Sequence, residues 1–310
     1  MIEGIDSITY STDGTAANWA TSKQFFLDWG LALASESHNE LVFETLNGSR
    51  VVVLPPDHAS LLGTVPMEAG ATLREVVWGV TDAALLATLP STILDPHGLR
   101  VRFQLSQKRA LNLQGSPSNA WGDVRRVDSP SPVYERATPI EMGHVVLFTD
   151  CLPEAVAFYT GLGFTVSDQY PGRGVFLRSS KTGGHHDVFL LQVPNKPKGL
   201  NHVAFTVRDI HEVFGGGLAM SRAGWKTQLG PGRHPISSAY FWYFECPLGG
   251  LIEYNADEDH LTDAWQARDF EPNPTRFAEW AVDGGLDGHT RRQPNVAAGG
   301  KFLTEKGHSS

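Results

Sequence analysis

Four short strand-like segments, rich in apolar and β-branched residues, recur along the chain, and each ends in or near an aspartate. They are IDSITYSTD from Ile5, REVVWGVTD from Arg74, GHVVLFTD from Gly143 and NHVAFTVRD from Asn201. Internal repetition of this kind is the signature of a fold built from copies of one supersecondary unit. The sequence therefore predicts four related units, each opened by a β-strand.

The third copy indicates how each unit continues after its opening strand. In LPEAVAFYTGLGFTVSD, Pro153 and Glu154 favour a helix start, apolar residues follow at helical spacing, and Gly161 and Gly163 favour its end. The segments GVFLRSS and HDVFLLQV then alternate as strands do. The predicted unit is a strand, a helix and about three strands, so the chain is an α+β protein of four βαβββ modules.

The second and fourth units can be aligned through their ends. DPHGLRVRF, residues 95 to 103, and CPLGGLIEY, residues 246 to 254, share Pro-x-Gly at the same offsets. The alignment pairs three positions of the first half with three of the second: Ser7 with His144, Glu75 with His202, and Arg102 with Glu253. One half thus carries Ser, Glu and Arg where the other carries His, His and Glu.

Glu253 stands in an otherwise apolar strand, and on its own it would most simply be a paired core residue or an edge-strand residue. The repeat changes that interpretation, because pseudo-twofold packing of the copies would bring His144 and His202 towards one centre. Two neutral imidazoles and a carboxylate are a common ligand set for ferrous iron, and they also suit Mn(II) or Zn(II). We therefore predict a metal site at these three residues and an ion pair between Glu75 and Arg102 in the first half.

The amino-acid composition narrows the classes of protein and of binding partner that remain. The chain has 310 residues, 41% of them hydrophobic, a formal charge of -9 and two cysteines. These values predict a large core, reduced thiols and a small-molecule partner, with no nucleic-acid surface. The first residues carry no leader pattern and no long apolar run follows, so a cytoplasmic protein without membrane contact is expected. Nine of twelve histidines follow residue 140, which points to chemistry in the second half.

The paired units, together with HHDVFLLQV and HPISSAYFWYFECPLGGLIEY, resemble the type I extradiol ring-cleavage dioxygenases of the vicinal oxygen chelate superfamily. The resemblance covers residues 5 to about 258 and is strongest from 142 onward. It implies two barrel-like domains, each a pair of modules, and Fe(II), with Mn(II) as the alternative, at His144, His202 and Glu253. The expected reaction is cleavage of a catechol-type diol by O₂ beside its hydroxyls, with both oxygen atoms inserted, in a homo-oligomer that degrades aromatic compounds.

The resemblance also implies three catalytic residues. The acid/base histidine falls on His186, although His185 beside it leaves the register open, and the substrate-facing residues fall on His234 and Tyr243. Chemically, a histidine near neutral pH suits a site that needs first a base and then an acid. The HHD segment could instead form an exposed turn after KTGG, and Tyr243 could be a core residue.

Boundaries are indicated by composition along the chain. We expect an N-terminal domain of two degenerate metal-free modules at 1–107, a Ser- and Pro-rich linker at 108–139, a catalytic domain at 140–258, and an arm and tail at 259–310.

The same scaffold supports two other functions: a non-redox metal-dependent isomerase or lyase of the glyoxalase type, and a metal-free small-molecule-binding protein.

Overall fold

Two large mixed sheets, joined by a shared core, form the frame of the protein in the computed structural model, which describes residues 1–283 and residue 285. The elements of the first half are β1 (Ile2–Ser11), α1 (Ala16–Trp29), β2 (Ala32–Glu36), β3 (Leu41–Glu44), β4 (Arg50–Leu54), β5 (Thr72–Val80), α2 (Ala83–Leu86), β6 (Thr92–Leu94) and β7 (Arg100–Leu105). A small hairpin, β8 (Asn119–Ala120) and β9 (Asp123–Val124), lies in the segment between the halves.

The second half repeats this order and adds a C-terminal arm. Its elements are β10 (Glu141–Phe148), α3 (Leu152–Gly161), β11 (Thr165–Tyr170), β12 (Gly174–Arg178), β13 (Val188–Leu191), β14 (Gly199–Thr206), α4 (Ile210–Arg222), β15 (Thr227–Arg233), β16 (Tyr240–Glu245) and β17 (Leu251–Ala256). The arm contributes β18 (Arg268–Asp269), α5 (Pro274–Phe277) and β19 (Trp280–Asp283). The remainder of the expected tail lies outside the described residues.

Three of the four modules have the predicted order of one strand, one helix and three strands. The second module differs, since only two strands, β6 and β7, follow its four-residue helix. Chain length accounts for the difference: residues 81–99 separate β5 from β7, whereas residues 207–250 separate β14 from β17. The shorter segment cannot hold a full helix and two strands before the last strand.

The strand pairing has the same pattern in both halves. In the second half β10 runs parallel to β13 and antiparallel to β14, and β14 runs parallel to β17. In the first half β1, β4, β5 and β7 have the same relations. The register agrees as well, because Ser7, Val77 and Arg102 occupy one row across the strands while His144, Ala204 and Glu253 occupy the corresponding row. The alignment of repeats made from the sequence is therefore confirmed.

Helix α3 begins and ends where the residue types predict. Pro153 lies in its first turn, where its missing N–H leaves no unpaired donor, and Glu154 places a negative charge beside the N-terminal N–H groups. After the last helical residue the chain passes through Gly163 at φ 100°, a left-handed conformation that glycine adopts without steric cost. The helix buries Ala155 and Tyr159 against the sheet.

The two halves share a packed aromatic core. The rings of Trp29 at the end of α1 and Tyr254 on β17 stack with centroids 3.6 Å apart, and the Tyr254 hydroxyl donates to the Trp29 carbonyl at 2.7 Å. Tyr254 points away from Glu253, as strand alternation requires. The face of β17 opposite Glu253 thus packs against the first half of the chain.

Close packing of α4 on this core gives a stability prediction. A Cβ atom added at Gly217 would fall inside the space of the Trp242 ring. Gly217→Ala should therefore lower the unfolding free energy by about 1–3 kcal/mol through overpacking, although alanine favours helix. A thermal melt checks this, with Gly161→Ala as the matched helical control, because an added Cβ there meets nothing within 4 Å. Equal melting temperatures for the two variants would contradict the packing argument.

Helices of the described part of the chain are too short or too polar to cross a lipid bilayer.

Candidate metal centre

Strand register brings the predicted ligands to one face of the large sheet. His144 on β10 pairs with Ala204 on β14, and Ala204 pairs with Glu253 on β17, so all three side chains share a face. His202 lies two residues before Ala204 on the same strand and points the same way. Three chain segments thus deliver two imidazoles and a carboxylate to one buried point.

The three donor atoms form a nearly equilateral triangle. His144 Nε2 lies 3.1 Å from His202 Nε2, and Glu253 Oε2 lies 3.2 Å from the first and 3.0 Å from the second. Adjacent ligands about 2.1 Å from an octahedral metal lie about 3.0 Å apart, whereas a tetrahedron of the same radius requires about 3.4 Å. The triangle therefore fits one face of an octahedron and leaves the opposite positions to other ligands.

The protonation pattern of this triangle also calls for a cation. His202 Nδ1 lies 2.7 Å from Asn201 Oδ1, which can only accept, so Nδ1 carries the proton and Nε2 presents its lone pair. That lone pair faces the Glu253 carboxylate, and neither carboxylate oxygen has a well-aligned hydrogen-bond donor among the described residues. Burial would raise the pKa of Glu253, but the surrounding histidines hold it well below its usual value. Facing acceptors of this kind are stabilised by a bound metal ion.

His234 and Tyr243 meet beside the triangle. The Tyr243 hydroxyl lies 3.0 Å from His234 Nε2, and His234 Nδ1 lies 2.7 Å from the Phe277 carbonyl. Because a carbonyl only accepts, His234 carries its proton on Nδ1. Its Nε2 therefore accepts a hydrogen bond from the Tyr243 hydroxyl. Burial, followed by the charge of Glu253, raises the pKa of Tyr243 well above its usual value, so its hydroxyl remains a donor. The ring of Tyr243 also lies 5.0 Å from that of His202, which places this pair at the metal triangle.

His185 and His186 are both buried, so the exposed-turn alternative for this segment is wrong. The ring of His186 lies over that of His144 with centroids 4.1 Å apart, while His185 packs behind it and contacts Asp168. Burial is the main cause that lowers the pKa of His186 well below its usual value, and it therefore rests neutral. Of the two histidines only His186 lines the cavity at the triangle.

The cavity in front of the triangle is apolar over most of its wall. Its lining includes the histidines at 144, 186, 202 and 234, Tyr243, and the apolar side chains Val146, Tyr170, Phe176, Phe189, Leu191 and Ile236. Phe176 and Phe189 stack with centroids 3.9 Å apart and interplanar angle 5°, forming a flat wall. A planar aromatic ring matches this shape.

Sequence reasoning missed four groups of the site: Asn201, the Phe277 carbonyl, Asp168 and Arg268. Of these four groups, Asn201 could have been found from the sequence, because it directly precedes the predicted ligand His202. The Phe277 carbonyl lies in the C-terminal arm, 43 residues from its partner His234, and any residue type would supply it. Asp168 and Arg268 are 100 residues apart and meet only because β18 pairs with β11.

The equivalent place in the first half holds an ion-pair cluster. Glu75 Oε2 contacts Arg100 Nε and lies 3.1 Å from Arg102 Nε, so the predicted pair with Arg102 is present and shared with a second arginine. Among the described residues, both groupings of side chains able to hold a metal lie in the second half. In the first half, two arginine side chains thus lie where the second half presents the lone pairs of its histidines and carboxylate.

This asymmetry predicts that Ser7, the counterpart of His144, has no part in turnover. Ser7→Ala should leave kcat within about twofold of the unaltered protein, because surface or half-buried changes of this size usually shift stability by less than about 0.5 kcal/mol. Steady-state turnover of the reaction expected from the sequence measures this kcat. A loss of tenfold or more would show that the first half contributes to the site.

A family profile matches the part of the chain that carries the triangle. Residues 141–254 match the sequence profile of the Glyoxalase/Bleomycin resistance protein/Dioxygenase superfamily. Metapyrocatechase 2 of Cupriavidus necator is 32% identical over 198 residues, which are 61% of this chain and 59% of that protein. The chain therefore matches a little under two thirds of the length of this curated relative.

Solved structures share the fold over nearly the whole chain. The Mn(II)-bound glyoxalase from Novosphingobium aromaticivorans has a TM-score of 0.69 and 21% identity, covering 91% of this chain and 92% of that one. Homoprotocatechuate 2,3-dioxygenase from Arthrobacter globiformis has a TM-score of 0.67 and 19% identity, with 90% and 88% covered. The predicted α+β architecture is thereby confirmed, and the resemblance found in the sequence agrees with the profile match and with the similarity to Metapyrocatechase 2.

Proposed function

We propose that the protein is an extradiol dioxygenase, which opens a catechol-type ring beside its two hydroxyls and inserts both atoms of O₂. The observation that carries the proposal is the facial triangle of His144, His202 and Glu253 beside a cavity that also holds His186, His234 and Tyr243. The name of the relative Metapyrocatechase 2 supports the same activity. A yellow ring-opened hydroxymuconic-semialdehyde-type compound is the expected product.

In this proposal His144, His202 and Glu253 hold Fe(II), and Mn(II) accepts the same donors. Ferrous iron, when bound, supplies a Lewis-acidic centre for both diol oxygens and a path for electrons from the ring to dioxygen. Asn201 keeps the His202 lone pair on Nε2 through its hydrogen bond to Nδ1. The flat Phe176 and Phe189 wall orients the ring and excludes water from it.

His234 and Tyr243 would receive the diol oxygens. A bound catechol must lose at least one proton, and the Tyr243 hydroxyl can turn from His234 Nε2 to donate to the oxygen that has become negative. His234 then has a free Nε2 that can take a proton from the second hydroxyl. The Phe277 carbonyl keeps His234 in the orientation for both roles.

His186 would serve the oxygen side of the cavity. Its ring lies against His144 and rests neutral, so it can accept the proton that the first diol hydroxyl loses and return it when the O–O bond breaks. Proton return at that point prevents charge from building up in an apolar cavity. The same histidine thus acts as base and then as acid.

Two alternatives make different experimental predictions. A glyoxalase-type isomerase or lyase, like the Mn(II)-bound glyoxalase with the same fold, would work without oxygen and with Zn(II) or Ni(II). A metal-free binder would retain its ligand after chelation, which does not agree with the facing acceptors of the triangle.

An oxygen-uptake screen of the iron-reconstituted protein against a panel of catechols tests the proposal. We expect one O₂ consumed per diol and a yellow product with both labelled oxygens from ¹⁸O₂. Turnover under strictly anaerobic conditions, or no turnover of any catechol by protein that holds one iron, would contradict it. The cytoplasmic location and homo-oligomeric state expected from the sequence stay predictions.

A further inference from the structure

A continuous line of hydrogen bonds runs from the C-terminal arm to His186. Arg268 Nη2 donates to Asp168 Oδ2 at 2.6 Å, and Asp168 Oδ2 lies 2.9 Å from His185 Nε2. His185 Nδ1 in turn lies 3.2 Å from His186 Nδ1. Asp168 and His185 are fully buried and His186 nearly so, so water does not compete for the bonds among these three residues.

The direction of each proton follows from the arginine end. Burial would raise the pKa of Asp168, but hydrogen bonds from His185 and Arg268 lower it below its usual value, so the carboxylate is ionised. An ionised carboxylate only accepts, and His185 therefore carries its proton on Nε2. With its proton on Nε2, the His185 ring presents Nδ1 as an acceptor, and this atom faces His186 Nδ1. His186 must place its own proton on Nδ1 to complete the chain.

We propose that Asp168 and His185 are positioning residues that hold His186 in the tautomer with its proton on Nδ1, so that its Nε2 lone pair is available in the cavity. The inference rests on the proposed function, because it explains how His186 starts the reaction as a base. In the opposite tautomer Nε2 would already carry a proton and could accept none. The two adjacent histidines thus have separate roles: His186 faces the cavity, and His185 sets its tautomer.

A second acceptor supports the same tautomer. Glu258 Oε1 lies 3.2 Å from His186 Nδ1, on the side of the ring that faces a separate polar cavity. This oxygen has no well-aligned donor among the described residues. Burial raises the pKa of Glu258 well above its usual value, and the carbonyl oxygen of a neutral carboxyl accepts as a carboxylate oxygen does. His185 and Glu258 can therefore both accept from Nδ1, and removing one of them leaves the other.

The arm completes the chain only when it packs on the sheet. Strand β18 pairs with β11 and places the Arg268 backbone N–H 2.8 Å from Asp168 Oδ1. Trp265 donates its indole N–H to the Ser167 carbonyl at 2.8 Å and stacks under the Arg268 guanidinium at 4.5 Å. The same arm holds His234 through the Phe277 carbonyl. The arm thus contacts the groups that orient both His186 and His234, and it lies outside the profile match at 141–254.

An isosteric amide at the carboxylate is the sharpest test. Because the Arg268 guanidinium donates to both carboxylate oxygens, Asp168→Asn is tested together with Arg268→Leu, with Arg268→Leu alone as its control. The remaining donor from residue 268 is then its backbone N–H at Oδ1, so the amide oxygen should stay there and the amide nitrogen should face His185. An N–H there makes His185 accept on Nε2 and donate from Nδ1, which moves the His186 proton to Nε2. In a serine protease, the same exchange of aspartate for asparagine inverts the tautomer of the catalytic histidine and lowers kcat about 10⁴-fold with unchanged geometry.

We expect kcat to fall at least about 100-fold in this double variant relative to Arg268→Leu alone, with iron content unchanged and KM for the catechol within about threefold. His185→Leu should cost less, about 10-fold, because Glu258 still accepts from Nδ1 and nothing drives the opposite tautomer. Asp269→Asn is the matched control, since the side chain of this exposed neighbour on β18 bonds Gln169 and lies outside the chain of bonds to His186, so kcat should be unchanged. A purely structural role predicts the reverse order, with a larger loss in His185→Leu than in the double variant.

The tautomer of His186 can be measured directly, without any turnover of substrate. Long-range ¹H–¹⁵N NMR of ¹⁵N-histidine protein freed of metal by chelation should show His186 protonated on Nδ1, and on Nε2 in the double variant. His186 protonated on Nε2 in the unaltered protein, or a larger loss of kcat in His185→Leu than in the double variant, would overturn the proposal. If no catechol is cleaved, the proposed function fails while the NMR result still decides the tautomer; if His185→Leu does not fold, the double variant and its spectrum decide.

Discussion

Glu253→Gln should abolish iron binding and catechol cleavage together. The carboxylate is the anionic member of the triangle, and its oxygen lies 3.0 Å from the His202 lone pair. A neutral amide loses the charge that attracts the metal, and its NH₂ group can donate to His202 Nε2 in the metal's place. Changes in outer partners of metal ligands already cost about 10–100-fold in metal affinity, so loss of the ligand itself should exceed that range.

Metal analysis after iron loading and oxygen uptake on the same sample measure the result. The unfolding temperature of the metal-free variant should not fall, because the amide replaces facing acceptors by a hydrogen bond. Glu245→Gln is the control: this exposed glutamate of β16 pairs with Lys226, and a surface pair of this kind contributes little. Full activity with full iron content in Glu253→Gln would rule out this residue as a ligand.

His186→Ala should retain iron and lose turnover. The ring contacts His144 but supplies no atom to the triangle of His144, His202 and Glu253, so the metal keeps its three ligands. Loss of a base that later returns its proton typically costs about 10²–10⁴ in rate. We therefore expect kcat to fall by about that factor while KM for the catechol changes little.

Two comparisons separate this loss of proton transfer from loss of structure. His186→Gln retains most of the side-chain volume, so it should lose kcat as His186→Ala does while keeping the melting temperature of the unaltered protein. His202→Ala should instead lose iron, and His38→Ala, at an exposed position of the first half, should change neither property. Iron loss in His186→Ala would make His186 a ligand, an outcome the second donor grouping with His144 and Glu258 would then explain.

Much of the site could be predicted by comparing the chain with itself. Aligning DPHGLRVRF with CPLGGLIEY paired Arg102 with Glu253, and the strand registers of the two halves agree with that pairing. Repeat alignment succeeds because equivalent positions of equivalent modules share a face and a row of the sheet. The missing strand of the second module was not predicted, because the four modules were treated as equal although only residues 81–99 lie between β5 and β7.

The amino-acid sequence alone predicted the repeated modules, the α+β class, the grouping of His144, His202 and Glu253 and the opposite charges of the two halves, because periodicity and repeats are local patterns. It did not reveal that Arg268 meets Asp168, that a Phe277 carbonyl orients His234, or which of two adjacent histidines faces the cavity. Those facts depend on pairing between segments far apart in the chain and on backbone atoms common to all residues. Only the packed arm and sheets bring such groups within hydrogen-bonding distance.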